Sequence, residues 1–221
     1  VGMGVGAKNG ILIKGGPALE MVNQIKTIIF DKTGTVTEGR PSVTHFDIIS
    51  DAWKSRRDEV LKIVASIENN SEHPIGVSIV DYCKKELGTK IDFYGMSGFK
   101  GESGKGVSST VKIGKINHYV CIGNRRLLEE KNIELDPLVD DTLTVFENQG
   151  KTAVIFTIEN EIIALIAVAD KIKISAKQTI HALKNKNIEV VLLTGDNQNT
   201  ARAIAKQIGF NRVYAEVLPS H

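Results

Sequence analysis

Two polar strings in this chain each follow an apolar run, and their residue types are those of phosphate chemistry. Asp31-Lys32-Thr33-Gly34-Thr35 comes directly after Thr27-Ile28-Ile29-Phe30, and Thr194-Gly195-Asp196-Asn197 comes after Ile188-Glu189-Val190-Val191-Leu192-Leu193. Continuous apolar runs of this length read as strands buried on both faces of a parallel sheet. Ligands of such sheets bind at the carboxyl ends of the strands. Asp31 is then a carboxylate placed to attack an electrophile. Thr194 and Gly195 offer a hydroxyl and backbone N–H groups where a helix begins, an arrangement that cradles phosphate. Together they suggest phosphoryl transfer to an aspartate. An ordinary Asp turn after a strand is the plainer reading of Asp31 alone.

The elements that must position these groups divide into two kinds. A helix over about 175–184 precedes the second strand. Another follows it, with Ala201, Ile204, Ala205 and Ile208 on one face and Gly209 as its C-cap. Strand–helix alternation at both ends of the chain indicates an α/β fold with a parallel sheet. The middle differs. Ser55-Arg56-Arg57-Asp58 has a capping-box pattern before Val60, Leu61, Val64 and Ile67 at helical spacing. Asn69-Asn70-Ser71 breaks that helix, and Pro74 suits the first turn of another that runs to Gly88. Short alternating strands follow over 107–113, 118–122, 152–157 and 161–168, the last two forming a hairpin around Glu159-Asn160. Helices on an antiparallel sheet make an α+β domain, inserted into the α/β domain with junctions near residues 43 and 169. The expected division is 1–42 (with 1–21 a linker), 43–168 and 169–221.

Composition narrows the classes of function. The 221 residues carry 28 Lys and Arg against 26 Asp and Glu, a net charge of +2. That balance gives no electrostatic case for nucleic acid or an anionic membrane surface. Cys83 and Cys121 form no CxxC pair and read as buried, reduced thiols. His45, His118 and His181 show no metal-ligand spacing, and Trp53, the one tryptophan, reads as packing. No apolar run reaches the roughly 18 residues that span a bilayer. The composition is that of a cytoplasmic, soluble chain, and a monomer is expected. The opening Val1-Gly2-Met3-Gly4-Val5-Gly6 reads as linker or tag, or as the start of a piece excised from a longer polypeptide.

Asp31-Lys32-Thr33-Gly34-Thr35-Val36-Thr37 resembles the phosphorylation signature of the P-type ion-pumping ATPases, with Val36 where the family has Leu. Thr194-Gly195-Asp196-Asn197 resembles their second phosphate-site motif. The resemblance implies a haloacid-dehalogenase-like phosphorylation domain split by a nucleotide-binding domain. It implies ATP as the phosphoryl donor, with Mg²⁺ held by Asp31 and the main-chain carbonyl of Thr33. Lys32, Thr194, Gly195 and Asp196 would surround the transferring group. Asp170, a hinge Asp in this family, and the basic Lys173 would lie near them. Soluble phosphatases of the fold carry a second Asp two positions after the nucleophile. Thr33 stands there instead, so an aspartyl phosphate should form and persist.

Ser71-Glu72-His73-Pro74-Ile75 resembles the SEHP motif of the heavy-metal-transporting P-type ATPases, and Glu68 matches that group's nucleotide-site Glu. Gly104-Lys105-Gly106 resembles its GxG element and Gly123-Asn124 its GN element; residues 8–20 resemble the segment entering from the membrane. An imidazole at His73 can stack on or bond to a purine, and glycines let backbone approach a flat base. Each has a plainer alternative: His73 as a helix cap, Glu68 as a solvated helix end. The resemblance implies adenine recognition wholly in the insert, a hinge at the two crossings, and a widely open cleft in the free form. The cargo would be copper, silver or a similar ion, copper or silver being the first choice.

The family's GDGxND segment, membrane helices and actuator domain have no counterpart in these residues. The expectation is therefore a cytoplasmic domain of an integral membrane pump, partnered in its parent by the metal-binding membrane helices and the actuator, with ATP bound and slow turnover. A soluble phosphohydrolase of the same fold and a noncatalytic nucleotide-binding module are the competing readings.

Overall fold

A computed structural model of the chain describes residues 2–217. Two short helices, α1 (Gly2–Lys8) and α2 (Gly16–Met21), lead into strand β1 (Thr27–Asp31). A tight turn over Lys32–Val36 passes into the long strand β2 (Thr37–Ile48). Helices α3 (Arg57–Glu68) and α4 (Pro74–Leu87) follow, then strands β3 (Met96–Glu102), β4 (Gly106–Ile113) and β5 (Ile116–Gly123). Helices α5 (Arg125–Glu130) and α6 (Pro137–Asn148) precede the hairpin of β6 (Thr152–Ile158) and β7 (Glu161–Ile172). The chain closes with α7 (Ile174–Asn185), β8 (Glu189–Leu193), α8 (Gln198–Ile208) and β9 (Arg212–Tyr214). No helix among the described residues is long and apolar enough to cross a membrane.

There are two sheets, as the mixed reading of the sequence requires. The smaller is parallel, in the order β1-β8-β9; the larger is antiparallel, in the order β2-β7-β6-β5-β4-β3. The two passages of chain between them are β2 and β7, hydrogen-bonded to each other from Thr37↔Ile172 to Ile48↔Ala164. The connection is thus a two-stranded ribbon, stiffer than a pair of loops.

Alternate residues of β6 feed two cores. Val154, Phe156 and Ile158 pack with Val60, Ile63 and Ile67 of α3 and Ile79 and Cys83 of α4. Ala153 and Ile155 pack on the opposite face with Leu143 and Phe146 of α6. Covered on both faces, β6 and β7 carry near-continuous apolar runs rather than the expected alternation. Each large side chain so buried contributes about 1.5–3 kcal/mol. A third core joins Val190 and Leu192 of β8 to Ile180 of α7 and Ile204 and Ile208 of α8. Both cysteines are free and buried, as their sequence context indicates.

Local signals were kept where the chemistry is local. Pro74 opens α4, Gly88 follows its end at φ 98°, and Gly209 caps α8 in the left-handed region with its N–H on the Ala205 carbonyl. Elsewhere the structure corrects the sequence. Ser55 is no cap: a 3₁₀ turn over Lys54–Arg56 precedes α3, and no side chain caps that helix. One face of strand β1, carrying Thr27, Ile29 and Asp31, is uncovered, so Ile29 is 61% exposed rather than buried on both faces. Strands β2, β3 and β9 and helices α5 and α6 were not read from the sequence at all.

Candidate active site

Parallel pairing sets β1 and β8 side by side with Asp31 opposite Leu193, so Asp31 and Thr194 leave the sheet at the same carboxyl edge. Asp31 is exposed there, and its carboxylate has no hydrogen-bond or ion-pair partner among the described residues. The turn after it is held from behind. Gly34 takes φ 75°, which a side chain disfavours. The buried Thr37 hydroxyl accepts from the Gly34 N–H at 3.3 Å and donates to Asp170 Oδ2 at 2.5 Å. Asp170 also accepts from the N–H groups of Gly39 and Arg40, each at 3.1 Å. Lys173 Nζ donates to the Gly34 carbonyl at 2.6 Å. Asp170 and Lys173 therefore shape the loop that carries Thr33 and do not themselves meet Asp31.

The second string closes on the first. Lys32 Nζ lies 2.5 Å from Asp196 Oδ2. Thr194, buried, donates its hydroxyl to the same carboxylate oxygen at 3.1 Å and accepts from the Asp196 N–H at 3.2 Å. Gly195 is exposed between them. An unpaired carboxylate, a hydroxyl and an ammonium thus share one strand edge.

On the larger sheet, Glu68 ends α3 only 5% exposed. Burial pushes its pKa up to about 7, and the Ser71 hydroxyl opposes the shift. The first turn of α4 presses on it: a Cβ on Gly76 would stand 2.4 Å from Glu68 Oε2. His73 caps α4, its Nδ1 accepting from the Ile75 N–H at 3.2 Å. Partial burial lowers the His73 pKa, Asp196 opposing and Lys32 adding to the shift. The imidazole therefore lies within charge range of the Lys32–Asp196 pair, on the far side of the chain crossing.

Gly104, Gly106, Gly123 and Asn124 form one cluster where β4 and β5 meet. Gly106 pairs with Gly123 across the strands. The Asn124 amide donates to the Gly104 carbonyl at 2.9 Å, its N–H donates to the Lys105 carbonyl at 2.8 Å, and its Oδ1 caps α5. Glu68 and His73 reach the same region through their neighbours: Ile67, Ile75, Val107 and Ile122 pack in one core.

A family model described as haloacid dehalogenase-like hydrolase matches residues 25–220. The chain belongs to that family. Among the proteins it resembles are metal pumps. It is 40% identical over its whole length to 18% of mouse Copper-transporting ATPase 1, and 40% identical to 17% of human Copper-transporting ATPase 2. It is 42% identical, over 99% of its length, to 25% of the Copper-exporting P-type ATPase of Staphylococcus aureus (strain USA300). The chain spans about a fifth of the length of the curated relatives it matches. Among solved structures, the catalytic CPx-ATPase domain CopB-B is similar at TM-score 0.66 and 27% identity, over 99% of this chain and 71% of that one. A zinc-transporting PIB-type ATPase in its E2.Pi state is similar at TM-score 0.66 and 28% identity, over 99% of this chain and 34% of that one.

The donors present at the strand edge where Asp31 lies suit a hard cation. Asp31 and a main-chain carbonyl in the turn offer oxygens of the kind Mg²⁺ takes beside water and phosphate oxygens. No cluster of three or more His, Cys, Asp or Glu suited to a metal occurs among the described residues. Sequence reasoning missed one group at this edge. Glu147 of α6, with Arg125, Asn197 and Asn199, ties α6 to the start of α8, and Thr152 Oγ1 donates to Asp196 Oδ1 at 3.3 Å. Helix α6, on the face of the larger sheet opposite α3 and α4, therefore touches α8. Asp136-Pro137 at the head of α6 was the available signal, since Asp136 caps that helix.

Proposed function

We propose that this chain is the ATP-binding, phosphoryl-accepting cytosolic part of a heavy-metal-exporting P-type ATPase, with copper or silver as cargo. The observation that carries the reading is the ion pair of Lys32 with Asp196, which draws the two phosphate-type strings together beside the unpaired Asp31 carboxylate. The full-length similarity to copper pumps supports it. The division at 43 and 169 is supported by register, because Ser42 pairs with Ala169 and Val43 with Val168, so both cuts fall at one level of the ribbon.

In this reading adenine lies against Glu68 and His73 and beside the Gly104, Gly106, Gly123 and Asn124 cluster, and the triphosphate runs toward Asp31. An Asp31 carboxylate oxygen attacks the γ-phosphorus; that O–P bond forms as the bond to the β–γ bridging oxygen breaks, and ADP leaves with the electron pair. Lys32, the Thr194 hydroxyl and the Gly195 N–H stabilise the charge on the transferring oxygens, the main task of an enzyme in phosphoryl transfer. Mg²⁺, when bound by Asp31 and the Thr33 carbonyl, would neutralise phosphate charge. Thr33 offers no acid–base group to help water attack the acyl phosphate, which gives it the lifetime a pump needs. The membrane helices and actuator of the parent would couple that intermediate to transport.

The test is labelling of the chain with γ-³²P ATP and Mg²⁺, quenched in acid. Hydroxylamine-sensitive label lost in Asp31→Asn is the expected result. Release of phosphate from small monoesters would favour a phosphohydrolase, and nucleotide binding without either reaction a noncatalytic module.

A further inference from the structure

Outside the phosphate site, Glu147 is the least exposed carboxylate among the described residues, at 1%. It stands one residue from the end of α6, on the larger-sheet side of the molecule, and every partner it has is named by the geometry. Arg125 donates to Oε1 and is held in turn by the Asp140 carboxylate and, at 3.1 Å, by the Thr144 hydroxyl. From the other side of the chain crossing, Asn197 Nδ2 donates to Oε1 at 2.9 Å and Asn199 Nδ2 to Oε2 at 3.1 Å. Elsewhere along the seam Arg126 pairs with Glu216 at 2.7 Å, Thr152 Oγ1 donates to Asp196 Oδ1 at 3.3 Å, the Thr200 hydroxyl donates to the Lys151 carbonyl at 2.9 Å, and a Cβ on Gly150 would stand 2.8 Å from Ile204 Cδ1.

Asn197 has two jobs with one amide. Its nitrogen is held by Glu147, while its Oδ1 accepts from the Thr200 N–H at 2.9 Å and so caps α8. Fixing the nitrogen fixes the rotamer that presents the oxygen. Asn197 is also the residue directly after Asp196, whose carboxylate holds Lys32 and the Thr194 hydroxyl. A carboxylate is the group able to accept from two amides and a guanidinium at once.

We infer that Glu147 is a positioning residue for the Thr194–Asp196 loop, held on one unit and acting on the other, so that the loop is ordered only while α6 is docked on α8. The inference rests on the proposed reading of that loop as the phosphate site. Its consequence is that domain separation, besides carrying His73 away, also loosens the residues that would grip the transferring group.

The experiment is amide hydrogen exchange on the full chain, followed by NMR, for the native protein and for Glu147→Ala, Glu147→Gln and Asn199→Ala. The amides of Thr194, Asp196 and Thr200 report, since each is hydrogen-bonded in this arrangement. Glu147→Ala is expected to speed their exchange at least tenfold while amides of β4 and β5 change less than twofold, and Glu147→Gln, which keeps an acceptor, to restore most of the protection. Unchanged exchange at the three amides, or an equal rise throughout the chain, overturns the inference. Should Glu147→Ala fail to fold, Asn199→Ala decides: selective loss at Asp196 and Thr200 upholds the inference and no loss overturns it. ADP affinity by calorimetry should stay within twofold in Asn199→Ala; a large loss would place the seam in adenine binding and defeat the inference. A native chain that binds no nucleotide at all would defeat the ATP reading and leave the exchange comparison to decide on Glu147.

Discussion

Lys32 Nζ lies 2.5 Å from Asp196 Oδ2, with both side chains 12% exposed, although 164 positions separate them in sequence. Removing the ammonium leaves a carboxylate in poor contact with water. Breaking a fully buried pair costs roughly 3–5 kcal/mol, and the residual exposure here brings the expectation for Lys32→Met to about 2 kcal/mol. Urea unfolding should show that loss and show most of it recovered in Lys32→Met with Asp196→Asn, because the second change removes the stranded charge. A double variant no more stable than the single one would mean that the pair is not what holds the two loops together.

Glu68 supplies a pH dependence whose sign can be worked out. Its pKa is about 7 in the folded chain against an ordinary 4.5. The folded state therefore holds the proton more tightly than the unfolded state. Stability falls as pH rises from about 4.5 through 7, as the buried carboxyl must ionise. Glu68→Gln removes the penalty. The variant should lie close to the native chain near pH 5 and exceed it by roughly 3 kcal/mol at pH 8, the order of a rise from 4.5 to about 7. Parallel stability curves for the two proteins from pH 5 to 8 would contradict the assigned burial effect.

Gly106 and Gly123 are glycines for a reason the family motifs leave unstated. A Cβ on Gly106 would stand 2.1 Å from the Ile122 carbonyl oxygen, and one on Gly123 would stand 2.3 Å from the Lys105 carbonyl oxygen. Either Ala substitution must push β4 and β5 apart and disturb the Asn124 bond to Gly104, at a cost of about 3 kcal/mol or more, in the upper range for single changes. Gly101→Ala, which meets nothing within 4 Å, should cost well under 1 kcal/mol. Thermal unfolding of the three variants separates the cases; equal losses in all three would show that general strand propensity, rather than close approach, sets the cost.

How much of this was legible depends on the range of the interaction involved. Asp31 and Thr194 were placed at one sheet edge because apolar runs ending in polar strings are a local signal, and β1 and β8 are indeed neighbours. The His73 cap of α4 and the Gly209 cap of α8 follow from backbone chemistry within a few residues. Strand β2 escaped notice because Glu38-Gly39-Arg40-Pro41 has neither alternation nor strand propensity; its pairing with β7 makes it a strand. Gly106 of the GxG element and Gly123 of the GN element are required by the close approach of β4 and β5, which no short stretch of sequence shows.

The sequence by itself determined which residues are candidates for the chemistry, that two kinds of sheet are present, and that one interrupts the other, because residue type, capping and periodicity act over a few positions. Tertiary structure decided which of those residues meet. The Lys32–Asp196 pair, the hold of Asp170 on the turn after Asp31 and the contact of Glu147 with Asn197 all join segments dozens to more than a hundred positions apart. Such contacts are fixed by the order of strands in each sheet and by the volume left between helices, and neither quantity is written in any short stretch of chain.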